Sequence, residues 1–269
     1  MKLLVKCIWF IFFSPLITAQ FLDLHKNDGT NNSFILNQID SISFTNSLLL
    51  ELHRSDGIID SFSLSQIDSI TFSSSNFSPC PADVSHAGKL YNVVQIGTQC
   101  WLKENLDIGD MIKNHQDPTN NGIIEKYCYD NDSINCLEYG GLYSWDESMQ
   151  FSTIQGSQGI CPNGWHIPTQ TEFRILREAV NNDGNALKEI GQGYLDGAGT
   201  NTSGFSILLA GLLDSQRNFW GRAYTARFWS STEYSNDKKG LMDLYSGSNY
   251  IYLYEGFKLD NLGIRCMRD

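Results

Sequence analysis

Six of the chain's seven cysteines lie between residues 80 and 266: Cys80, Cys100, Cys128, Cys136, Cys161 and Cys266. None falls from residue 8 to residue 79. Six cysteines allow 15 pairings, and an even set in an exported chain reads as three disulfides. No two of them form the Cys-x-x-Cys pair that zinc sites usually use, so zinc is set aside. The reading depends on export. The chain opens MKLLVKCIWFIFFSPLITAQ, with Lys2 and Lys6 ahead of an apolar run from Cys7 to Ile17 and small residues ending at Ala19. This is the pattern of a secretory leader over residues 1–19. The run falls short of the roughly 20 apolar residues that span a bilayer. Cys7 precedes most of the run and is misplaced for lipid attachment.

The formal charge is −11. Loss of Lys2 and Lys6 leaves 17 basic against 30 acidic residues, or −13. A nucleic-acid partner is excluded on that balance, because such footprints are basic. No further apolar run approaches spanning length, so no transmembrane segment is expected.

Residues 22–47, LDLHKNDGTNNSFILNQIDSISFTNS, align with residues 50–75, LELHRSDGIIDSFSLSQIDSITFSSS, at a constant offset of 28. This is an internal duplication. Each copy reads as a hairpin. Apolar residues alternate around Leu24 and Leu52, Asp-Gly marks a turn at 28–29 and 56–57, and Phe34 and Phe62 begin the return. The segment holding Ile39, Ile42 and Phe44 adds a further apolar edge. One copy has too few apolar groups to stand alone, and two are expected to pack face to face. The small all-β module is placed at residues 20–72. His25 and His53 occupy equivalent positions, which a repeat copies whatever their use. A metal site needs about four ligands. The copies resemble short repeats near the N-termini of exported proteins of Bacteroidetes type. The Ser-rich run 73–79, ending at Pro79, reads as a linker.

From residue 80 onward six motifs follow in order: YNVVQIGTQCWLKENL (91–106), KYCYDNDSINCLEYGGLYSW (126–145), CPNGWHIPTQTEF (161–173), SGFSILLAG (203–211), FWSSTE (228–233) and LGIRCMRD (262–269). Together they resemble the Fibrobacter succinogenes major paralogous domain, over residues 80–269. The resemblance implies export and no particular reaction. At longer range the chain is similar to C-type-lectin-like folds, including the formylglycine-generating group, through the helix start IPTQTEF and the terminal GIRC. The implied fold class is α+β: a C-type-lectin-like domain with two helices and antiparallel strands.

The residues support the same outline. Val93, Val94 and Ile96 form a strand. A first helix is expected from Leu142 to Phe151, with Trp145 and Met149 four apart. Thr169 and Glu172 form a capping box, followed by Phe173, Leu176 and Val180 on one stripe. Strands are expected at 205–209, 227–231, 241–245, 250–254 and 262–267, with Tyr250, Tyr252 and Tyr254 in alternation. Cys128 and Cys136 enclose a turn-forming loop and are paired. Cys80 and Cys100 flank the first strand and are paired. Cys161 and Cys266 remain, and their bridge would latch the helix-start loop to the last strand.

Few residues invite chemistry. His166 lies between Trp165 and Ile167, and is read chiefly as a histidine satisfied by a backbone group. No nucleophile elbow, His-Glu-x-x-His or phosphate loop occurs. Asp130 and Asp132, with Asp110 and Asp117 nearby, are calcium candidates, but lack the glycine and distal glutamate of a hand-type loop. No cofactor is expected beyond that weak option. Trp220, Tyr224 and Phe228 are the first choice for an aromatic contact surface, with His166 beside them as a lesser candidate. The function expected is a secreted, disulfide-stabilised binding module for glycans or surface proteins. The alternatives are an extracytoplasmic enzyme using a cleft near His166 and a passive surface protein.

Overall fold

The computed structural model describes residues 20–44, 48–54, 57–74 and 80–268. The expected leader 1–19, most of the expected linker and Asp56 of the expected turn lie outside the described residues. Contacts divide the chain into two compact units, one ending at Pro79 and one beginning at Cys80. Among the described residues no helix is long and apolar enough to cross a membrane.

Among the described residues the first unit has six strands: β1 (Gln20–Lys26), β2 (Asn31–Ile35), β3 (Ile39–Phe44), β4 (Leu49–Arg54), β5 (Ile59–Ser63) and β6 (Ile67–Ser74). β1–β2 and β4–β5 are the two expected hairpins. Their turns hold Gly29 and Gly57 at φ 83°, a conformation glycine adopts without a Cβ penalty. The third strand of each copy does not stay with its own hairpin. A single 3-10 turn (Leu36–Gln38 or Leu64–Gln66) hands the chain across. β3 then pairs with β4 of the second copy, and β6 pairs with β1 of the first. The result is two sheets of identical order, β2-β1-β6 and β5-β4-β3. Leu22, Leu24, Leu50 and Leu52 are fully buried, with Phe34, Phe62, Ile39, Ile67 and Ile70 packed against them. β6 continues to Ser74 because Gln20 pairs with it there, so the strand runs past the expected boundary at residue 72. His25 and His53 sit on different sheets, one residue on from the inward Leu24 and Leu52. Alternation therefore turns them to the outer faces. His25 Nε2 lies 2.9 Å from Thr71 Oγ1, and His53 Nε2 lies 3.1 Å from Ser43 Oγ.

The second unit is mostly strand with a few short helices. A five-stranded antiparallel sheet runs in the order Trp165–His166, Met267–Arg268, Gln99–Leu102, Lys89–Ile96, Asp83–His86. A second sheet of seven strands is built around Thr225–Ser235, Lys238–Tyr245 and Tyr252–Phe257. The capping box is present: Thr169 Oγ1 accepts from Glu172 N, Glu172 accepts from Thr169 N, and the helix runs Gln170–Ala179. Its Phe173 and Leu176 enter a core with Trp101, Phe205, Ala226, Phe228, Met242 and Leu244. Trp101 stacks on Phe173 at 5.7 Å.

Several expected elements differ. The helix expected at 142–151 is a short strand, Tyr143–Ser144, and one turn of helix, Trp145–Ser148. Pairing of Tyr143 with Leu262 takes its start, and left-handed Gln150 and Phe151 close its end. The loop between Cys128 and Cys136 contains the start of a helix, Ser133–Tyr139, capped by Asp132. With Gly184–Leu187 the described residues hold four helices where two were expected. Phe205, Ile207 and Leu209 are buried, but the segment makes only an isolated bridge from Ile207 to Lys188; the strand begins at Ala210. The expected 250–254 strand lies at Tyr252–Phe257, and the expected 262–267 strand splits into Asn261–Leu262 and Met267–Arg268.

Disulfides join Cys80 to Cys100, Cys128 to Cys136 and Cys161 to Cys266, with Cα separations of 5.6, 5.0 and 5.9 Å. The last spans 105 residues. Beside it, buried Trp165 pairs with Arg268 across the terminal strand. Three disulfides fit an extracytoplasmic protein.

Candidate ligand-binding surface

The histidine in the helix-start loop is not available to a ligand. His166 is 6% exposed, and its Nε2 lies 3.0 Å from Glu172 Oε2. Its partner at Nε2 is thus a carboxylate. The same Glu172 oxygen accepts from Thr169 N at 2.7 Å. Burial raises the Glu172 pKa, but His166 and the capping N–H outweigh it and hold the carboxyl low. One carboxylate therefore serves both the helix cap and the histidine.

Three of the four calcium candidates have partners within the chain. Asp132 accepts from Ile134 N as the helix cap. Asp130 sits 3.9 Å from Arg222, whose guanidinium lies over the Tyr129 ring. Asp117 pairs with Arg217, and Asp110 belongs to a two-residue strand. Among the described residues no group of three or more His, Cys, Asp or Glu could hold a metal ion.

The aromatic candidates divide. Phe228 is 1% exposed, so it cannot join a contact surface. It stands opposite Met242 on the inner face of its strand and belongs to the core. Trp220 and Tyr224 are 47% and 46% exposed. They begin a run of rings in edge or tilted contact. Trp220 meets Tyr224 at 5.5 Å, Tyr224 meets Tyr245 at 5.7 Å, Tyr245 meets Tyr252 at 5.5 Å and Tyr252 meets Tyr250 at 6.4 Å. Strand register explains the alignment. Thr225 faces Tyr245, Arg227 faces Asp243, and Asp243 faces Tyr252. Directly paired residues share a face. Leu244, Met242 and Leu253 therefore point inward, and Tyr245, Tyr252 and Tyr254 outward.

A polar floor lies beneath the rings. Asp243 is 0% exposed and accepts from Thr225 Oγ1, from Arg227 Nε at 2.8 Å and from the Tyr254 hydroxyl at 2.6 Å. Arg227 Nη2 donates to the Tyr245 hydroxyl at 3.3 Å. Burial alone would weaken the Arg227 charge, but Asp243 beside it more than compensates and its pKa rises. Burial and the Asp243 charge raise the Tyr254 pKa, keeping its hydroxyl neutral. Tyr245, Arg227 and Asp243 went unnoticed in the sequence. The alternation of Tyr250, Tyr252 and Tyr254 read only as a strand; that its outward positions are all tyrosine was the available signal.

Two buried cations were also missed. Arg265, in the terminal GIRC motif, is 1% exposed. It donates from Nε and Nη2 to Asn105 Oδ1 and from Nη1 to the carbonyls of Leu102 and Phe205. Burial pulls its pKa down to about 9. Lys188 is fully buried and donates to the carbonyls of Gly197, Tyr245 and Ser248; burial lowers its pKa to about 8. Both bind backbone and hold loops in place. A cleft of about 410 Å³ beside Arg265 is lined by Lys89, Lys103, Glu104 and Glu138 among others. Within and beside it, Lys89 donates to Asp107, and Asn92 donates to Glu104.

No curated protein and no solved structure matches the chain. One family model does, that of the Fibrobacter succinogenes major domain, over residues 94–268. That span holds the ring run and its polar floor, two complete disulfides and one end of the third, and it is well over half of the chain. The chain therefore belongs to the Fibrobacter succinogenes major domain family.

Proposed function

We propose that the protein is an exported, disulfide-stabilised binding module whose ligand surface is the ring run from Trp220 to Tyr250. The observation that carries this is the continuity of five aromatic rings in edge or tilted contact, of which Trp220, Tyr224, Tyr250 and Tyr252 are exposed and Tyr245 is half-buried. Large rings exposed in series cost solvation and are favoured where one side meets a partner. The polar floor supports the reading, because it holds the rings in place through side chains fixed by burial. Residues 1–19 act as the leader, and the unit from residue 80 carries the binding surface. A C-type-lectin-like architecture belongs to the same proposal. It is supported by the return of the terminal strand, where Met267 pairs with Trp101 near the start of the unit.

The test is binding of the oxidised protein on a glycan array and in a pull-down from surface extracts, beside a Trp220→Ala/Tyr252→Ala variant. The expected result is retention by the native protein and loss in the variant, with the thermal midpoint unchanged. Silence of the native protein in both assays makes it a passive surface protein and ends the proposal.

A further inference from the structure

The charge at the ring run is closed. Arg227 carries the positive charge under the rings, and Asp243 cancels it at 2.8 Å. Asp243 is fully buried, so it offers no negative charge outward. The tyrosine hydroxyls add none. An acidic ligand finds no uncompensated cation here, and the chain as a whole bears −11. A basic ligand finds no reachable carboxylate in the floor.

One donor is left open. Arg227 uses Nε on Asp243 and Nη2 on Tyr245. Its Nη1 makes no hydrogen bond with the described residues and is not among the buried unpaired atoms. It therefore meets solvent, from a side chain 18% exposed whose guanidinium carbon lies 5.9 Å from the Trp220 ring centre. The Tyr252 hydroxyl, 3.2 Å from Ser248 Oγ, adds a second polar group beside the rings.

From this we infer that the surface takes an uncharged polysaccharide and that Arg227 Nη1 is the donor that sets its register. The inference rests on the ring run being the binding surface. Sugar rings present an apolar C–H face to an aromatic ring and hydroxyl acceptors at their rim. Five rings follow one another in contact, with successive ring spacings of 5.5 to 6.4 Å, which suits a chain lying across them. A guanidinium already held by a carboxylate loses little freedom in making another hydrogen bond.

Affinity electrophoresis of the whole oxidised protein in gels containing a neutral glucan, a neutral mannan or a polyuronate tests this. Retardation by a neutral polymer, insensitive to added salt, is expected, with none by the polyuronate. Arg227→Lys keeps a cation against Asp243 and removes Nη1, and is expected to weaken binding at least about tenfold. Stronger retardation by the polyuronate overturns the inference, as does an Arg227→Lys variant that is folded and binds undiminished. Capture of a protein with no polymer retardation also overturns it, yet leaves the binding surface standing. Absence of all binding removes that surface as well.

Discussion

The two units of this chain solve one problem by opposite means. The N-terminal unit has no cysteine among its described residues and buries a small leucine core, with Leu22 and Leu24 facing Leu50 and Leu52. It closes by exchange: each copy of the repeat lends its third strand to the other copy's hairpin. The second unit has little regular helix and long irregular stretches. It closes by three covalent bridges and by cations buried on carbonyl oxygens. Small domains are short of core and need some form of stapling. Duplication supplies it in one unit and sulfur in the other. The exchange is possible because both copies keep the same pattern; the bridges tolerate loops of any sequence between their ends.

Breaking the exchange has the largest expected effect. Deleting residues 48–75 removes one repeat of 28 residues. The remaining hairpin then has no third strand unless a second molecule lends one. The deleted protein is expected to become a dimer through reciprocal β3 exchange, read by light scattering. A folded monomeric module would show that the crossing strand is dispensable.

The bridge between Cys161 and Cys266 comes next. Closing a loop of about 100 residues is worth about 4.7 kcal/mol in the chain-entropy model, less any strain. A Cys161→Ala/Cys266→Ala variant is expected to lose stability of that order in the second unit alone. Denaturant unfolding followed separately for each unit checks it. Equal loss in both would mean that the units unfold together.

The smallest effect sharpens the role of the buried cations. Lys188 is charged in both states below pH 8. From there to its ordinary value of 10.5 the unfolded chain holds the proton and the folded chain does not. Stability of the second unit is therefore expected to rise between pH 8 and 10, by at most about 3 kcal/mol. Tyr91, pushed up to about 12 by burial, works the other way only above pH 10. Lys188→Met should flatten the rise below pH 9, above which Arg265, lowered to about 9 by burial, adds a rise of its own. A rise below pH 9 that survives the substitution would assign it to another group.

Much of the fold was legible because it is local. The capping box of Thr169 and Glu172, the turns at Gly29 and Gly57 and the short Cys128–Cys136 bridge each depend on residues a few positions apart. The long bridge followed by elimination. The helix expected from Leu142 failed for a non-local reason, since Tyr143 is taken by a strand more than a hundred residues away. Trp220 and Tyr224 were recognisable as candidates, but Phe228 was not separable from them. Its inward side depends on register with Met242, and a shift of one residue would reverse it.

By itself the sequence determined the duplication, the family motifs, the sulfur framework and the leader pattern, because composition, spacing and short-range hydrogen bonding are written along the chain. Only the tertiary structure decided which hairpin each third strand joins, that Arg265 and Lys188 are buried on carbonyls, and that Tyr245, Tyr252 and Trp220 form one surface with Arg227 beneath. Those arrangements are set by which strands become neighbours and in what register. That is a property of the packed sheets, and no local stretch of residues encodes it.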